Sequence, residues 1–110
     1  MLHIGTALQA GTSLNATPAW VINPGERSYV TSLSTERGIA YNPSNDHILL
    51  PTRVGNTPKI PVLDASDGSE LRFLNVATLS GGTFVINHLG VDDDGVVYAC
   101  NLVLPTSATA

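Results

Sequence analysis

The stretch from Arg37 to Asp67 constrains the fold of this chain most. It opens with Gly38-Ile39-Ala40-Tyr41-Asn42, which reads as a strand with Ile39 and Tyr41 on one face. Pro43-Ser44-Asn45-Asp46 is a turn by composition, because proline presets φ and Asn or Asp tolerates the left-handed region. His47 to Arg53 is the return strand. Its consecutive Ile48, Leu49 and Leu50 predict cover on both faces. After the loop Gly55-Asn56-Thr57-Pro58, Lys59 to Asp64 predicts a third strand, with Pro61 at a bulge or on an unpaired side. Asp64 to Gly68 is a turn ending in the Asp-Gly signal, and Glu70 to Val76 is a fourth strand. Four short strands are therefore expected, joined in order by a tight turn, a loop and a turn.

A partial copy of this pattern returns near Val91. Leu89-Gly90-Val91, the turn Asp92-Asp93-Asp94-Gly95, and Val96 to Leu102 again read as strand, turn, strand. Ile39-Ala40-Tyr41 aligns with Leu89-Gly90-Val91 at a spacing of about 50 residues, within the range of four-stranded propeller blades. Phe84 to Asn87 predicts a short extended segment leading into this second unit. Before the first unit, Ala19 to Ile22 reads as a strand stopped by Asn23-Pro24-Gly25, with a further extended piece between Arg27 and Leu33. Residues 1–18 read as a leader or flexible segment, 19–104 as the β domain and 105–110 as a flexible tail.

Composition narrows the function. The 110 residues suffice for one modest core. Only 13% are charged, against about 25% in typical domains. The net charge is −4, and the few cations are scattered, so phosphate-driven nucleic-acid binding and attachment to anionic membrane are not expected. No run approaches the roughly 20 apolar residues of a membrane-spanning helix. Met1 to Ala10 lacks the basic start and unbroken apolar run of an export signal, so either the chain is not exported or Met1 is not the start of the parent protein. The lone Cys100 allows no intrachain disulfide and reads as a small apolar residue inside a strand.

The segments Arg37-Gly-Ile-Ala-Tyr-Asn-Pro, Val62-Leu-Asp-Ala-Ser-Asp-Gly, Ser80-Gly-Gly-Thr-Phe and Gly90-Val-Asp-Asp-Asp-Gly-Val-Val-Tyr-Ala-Cys-Asn-Leu resemble bacterial secreted β-propellers. Those with a domain of unknown function of the DUF4623 type, in the style of YVTN and NHL repeats, are most similar. The resemblance spans about Trp20 to Leu102. It implies an all-β, partial β-propeller: about one complete four-stranded blade plus parts of its neighbours. It also implies export and an extracytoplasmic location. It supplies no catalytic residues. A closed propeller uses roughly four to eight blades, so the chain is expected to be a fragment, a truncated reading frame or a protomer that closes a ring with copies of itself.

The motifs offer little chemistry. Ser80-Gly81-Gly82-Thr83 is not followed by the lysine or helix of a phosphate-binding loop. Asp92-Asp93-Asp94-Gly95 lacks the spread of ligands and closing glutamate of a calcium loop. The histidines His3, His47 and His88 stand apart in sequence, outside any catalytic motif. The expectation is a non-enzymatic structural or interaction module without cofactor or metal, presenting loops to a protein or glycan. Arg37, Arg53, Asn87 and His88 are its candidate binding residues, and Trp20 reads as a core or inter-strand anchor rather than a sugar platform. Two alternatives stand beside it: an assembly subunit that closes a propeller by homo-oligomerisation, and a hydrolase or lyase whose site other blades complete.

Overall fold

The computed structural model describes residues 13–105. The expected leader and tail, and His3 with them, lie largely outside the described residues. Six strands form two antiparallel sheets, and no α-helix occurs among the described residues. The first sheet is a meander in sequence order: β1 (Ala40–Asn42), β2 (His47–Leu49), β3 (Pro61–Asp64) and β4 (Glu70–Phe73). The second is the hairpin of β5 (Phe84–Val91) and β6 (Val97–Leu102). The all-β expectation holds.

The turns fall where their residues put them. Pro43–Asp46, Asp64–Gly68 and Asp92–Gly95 each close a hairpin, and aspartate side chains stitch the last two. Asp64 Oδ1 accepts from the backbone and hydroxyl of Ser66, Asp67 Oδ1 from Ser69 N, and Asp92 Oδ1 from Asp94 N and Val96 N. These side chains stand in for backbone turn bonds.

Several strand bounds differ from expectation, each for a local reason. β2 stops at Leu49 because Pro51 has no N–H to donate. The ladder resumes as isolated bridges of Thr52 to Glu36 and Lys59. Pro61 opens β3, an interior strand, at the one position where a missing N–H is tolerated; its carbonyl still accepts Leu50 N–H at 3.1 Å. The bulge expected near Pro61 lies between Val62 and Leu63. Ala19–Ile22 is not a strand. It is pinned by a side chain instead: Trp20 Nε1 donates to Ala65 O at 2.9 Å. Trp20 is thus an anchor, half-buried against the β3–β4 turn. Arg27–Leu33 is turn and bend, and it delivers Tyr29 edge-on to Phe73 with ring centroids 5.7 Å apart.

The core lies between one face of the meander and the β5–β6 hairpin. Ala40, Leu49 and Ile60 meet Ile86 and Leu89 there, with Leu74, Val85, Val91 and Val97 at the margin. β1 lies against β5, and Asn42 Nδ2 donates to Gly95 O at 3.2 Å across the turn ends of the two sheets. The side of β1 that faces this core is Ala40 and Asn42. On the other face Ile39 and Tyr41 are exposed, at 65% and 51%, whereas Leu63, further across the same face, is buried beside the segment from Trp20 to Val30. Cys100 is exposed on β6, against the expectation of burial, because it points away from the sheet that the hairpin packs on; its cross-strand partner is the equally exposed His88.

β5 is longer than expected because one residue absorbs an irregularity. Ile86 sits at φ +53°, rare for a β-branched residue, where the β5–β6 register shifts. Asn101 holds it there: its Oδ1 accepts Ile86 N–H at 2.8 Å and its Nδ2 donates to Ser80 O at 3.0 Å. Asn101→Ala is expected to lower stability by about 1–3 kcal/mol, since it leaves the Ile86 N–H without its acceptor. Asn101→Asp, which keeps the acceptor, should lose less. Urea denaturation of the three proteins checks the order.

Candidate functional site

The meander separates charge along its strands. Every aspartate of the chain lies at or beside the tight turns of one end: Asp46, Asp64, Asp67 and Asp92 to Asp94. The opposite end, where the chain enters β1 and the long β2–β3 loop runs, carries Arg37, Arg53 and Lys59 against the single acid Glu36. A chain of net charge −4 therefore presents one basic end.

Arg53 dominates that end. Only 7% of it is exposed, and its Nε and Nη1 have no hydrogen-bond partner. The guanidinium lies over the Phe84 ring, 4.3 Å from the centroid. Its backbone is fixed on both sides, since Arg53 N donates to Thr35 O at 3.0 Å and Asn56 N donates to Arg53 O at 3.3 Å. Burial first, and the like charge of Arg37 second, hold its pKa below the usual arginine value. A buried cation with unpaired donors costs a folded chain stability, offset here in part by the Phe84 ring. Beside it a cavity of about 340 Å³ is lined by Arg53, Asn56, Pro58, Thr83, Phe84 and Val85.

The other residues named from sequence are placed as follows. Arg37 is exposed at the start of β1 and near enough to act electrostatically on Arg53. His88 lies across from Gly38, its Nδ1 3.8 Å from where a Cβ on that glycine would stand. Asn87 is half-buried on β5. Of the four, only Arg53 lines the cavity. Phe84, Asn56 and Thr83 were not legible as partners of Arg53, because nothing in their spacing announces that Phe84 crosses under the guanidinium.

Metal and acid–base chemistry find less support. Among the described residues no group of three or more His, Cys, Asp or Glu side chains could hold a metal ion. His47 has a buried Nδ1 without a partner and stands across the ladder from Asp64. The Asp64 carboxylate is already engaged by Ser66, whose hydrogen bonds hold its pKa below the usual range. Comparison with known proteins finds no matching family model, no similar curated protein and no similar solved structure.

Proposed function

We propose that the chain is a non-enzymatic structural and interaction module of β-propeller type, located outside the cytoplasm. In this reading β1–β4 are one blade and β5–β6 the start of the next. Three features support it: the meander order of the first sheet, the packing of the hairpin on one of its faces, and the position of β1 against β5. Consecutive blades of a propeller meet in this way, inner strand beside inner strand.

The observation that carries the proposal is the second face of the meander, which residues 20–30 cover only in part: Leu63 is buried there, but the β1 side is not. Ile39 and Tyr41 are exposed on it, and a groove of about 290 Å³ runs between Trp20, Val21, Ile22, Ile48 and Leu50. The hairpin likewise leaves Tyr98 61% exposed. Apolar faces of this kind mark contact surfaces, and further blades are their natural cover, whether from the same chain or from copies of it. The open faces favour the homo-oligomeric ring as the second reading.

Light scattering on a gel-filtration column, with circular dichroism of the same peak, tests this. A discrete β-rich oligomer is expected, and Ile39→Lys with Tyr41→Lys should reduce its mass. A stably folded monomer, unchanged by that pair of substitutions, would overturn the proposal.

A further inference from the structure

We propose that the outer edge of β6 is an interaction edge, and that it pairs antiparallel with β6 of a second copy of this chain. The contact uses a strand edge and not the apolar faces. It therefore goes beyond the module reading and does not depend on whether further blades cover those faces.

Four observations lead to it. First, the edge is unpaired. β6 has one neighbour in its sheet, β5, whereas β5 also lies against β1. The bond from Asp92 N–H to Val96 O sets the alternation of the ladder. Tyr98 and Cys100 turn their backbone groups to β5, and Val97, Ala99 and Asn101 turn theirs outward. Second, the edge is accessible. Tyr98 to Leu102 are all exposed, even Ala99, which shares a face with the buried Leu89 across the ladder. The meander thus leaves room for a strand beside β6. Third, the edge is unguarded. β4, an edge strand of the meander, carries Glu70 and Arg72, charges of the kind that deter strand addition. β6 runs for six residues with no charge and no proline. The extra residues at the register shift of the hairpin lie on β5, so β6 itself is continuous. Fourth, the hairpin is a sheet of only two strands, a marginal unit. Edge pairing extends it to four, the number in the meander, with main-chain bonds supplying the affinity.

Self-complementarity selects the occupant and its direction. An uncharged strand meets its own copy without repulsion. Asp92, Asp93 and Asp94 stand at one end of β6, and Val103 to Pro105 follow the other. Parallel pairing would set the two acidic turns side by side. Antiparallel pairing holds them roughly 30 Å apart, well beyond a Debye length of about 10 Å. Centred on Ala99, it bonds all three outward residues: Ala99 to its own copy, and Val97 to Asn101 of the partner subunit. Tyr98 then stands opposite Cys100 of the partner subunit on the exposed face. The contact is isologous, so it closes at two chains.

The test is amide hydrogen exchange of the full chain across a concentration series, with light scattering on the same samples. Val97, Ala99 and Asn101 should gain about tenfold protection or more as concentration rises, while Tyr98 and Cys100, already bonded to β5, change little. Tyr98→Lys with Cys100→Lys sets two like-charged pairs across the symmetry axis and should weaken dimerisation about tenfold. Tyr98→Lys with Cys100→Glu makes both pairs attractive and should restore it. All these changes lie on the exposed side of the hairpin, and retained protection of the β5 amides shows that it still folds.

Three results would overturn the proposal: edge amides still unprotected at about 1 mM chain, protection already present on dilution and independent of concentration, or a Lys–Glu variant that dimerises as weakly as the Lys–Lys one. The Ile39→Lys, Tyr41→Lys variant separates the edge from the faces. The alternating protection should persist in it, because both positions lie on the meander. Its loss there would place the contact on the faces and overturn the edge, while a mass unchanged by that variant counts against the module reading alone.

Discussion

Leu89→Ala is expected to lower the unfolding free energy by about 2–5 kcal/mol, the range for emptying a buried leucine site. Small domains hold only about 5–15 kcal/mol in total, so the variant loses a large part of its margin. Leu89 is 4% exposed and projects from β5 into the cluster of Ala40, Leu49, Ile60 and Ile86. These residues hold the hairpin to the meander. The strands beside it are three or four residues long and cannot slide to fill the space. Ile86 cannot follow either, since its left-handed backbone is fixed by Asn101. A cavity therefore remains, and the hairpin loosens as a unit. Hydrogen exchange should show the amides of β5 and β6 opening well before those of β2 and β3. A variant in which all strands lost protection equally would mean that the two sheets do not separate. Leu102→Ala, at a position 37% exposed near the far end of the hairpin, provides the contrast and should lose far less.

How much of this was legible in the sequence depends on how local the signal is. The turns were readable because Pro43, Asp46, Asp64, Gly68, Asp92 and Gly95 act on their own backbone within a few residues. The four-strand meander followed from them. Strand ends were less readable, because whether Leu50 or Pro51 pairs depends on a partner strand further along the chain. Faces were misleading. Ile39 and Tyr41 look like core by residue type, yet Ala40 and Asn42 are the buried pair. The hairpin packs closely on β1, and close approach selects the smaller side chains. Arg53 was a candidate as one charged loop residue among several. Its burial and its seat on Phe84 are products of tertiary packing between distant parts of the chain, and no local pattern encodes them. Cys100 shows the converse: apolar neighbours in sequence do not bury a residue whose side of the sheet has no partner.

Gly68→Ala is expected to destabilise the chain by about 2–5 kcal/mol through two additive effects. Gly68 has φ +73°, a conformation that costs an L-residue about 1–2 kcal/mol. A Cβ there would also lie 2.6 Å from Trp20 Cε3 and 2.8 Å from Cδ2. The indole has to move, and overpacking of this kind costs about 1–3 kcal/mol. The displaced ring loses its bond to Ala65 O, and the Arg27 bond to Gly68 O is disturbed with it. Residues 20–30 then detach from the β3–β4 turn, and Tyr29 with them, though Tyr29 is only 3% exposed in the native fold. Trp20 is the chain's sole tryptophan, so its fluorescence reports the event directly and should shift to the red. Gly55→Ala separates the two effects. Gly55 has φ +62°, and nothing lies within 4 Å of where its Cβ would stand. Only the backbone effect of about 1–2 kcal/mol then applies, and the emission of Trp20 should not change. If both variants lose the same stability with the same emission, Trp20 is not packed on Gly68, and the segment before Tyr29 is held by something other than this contact.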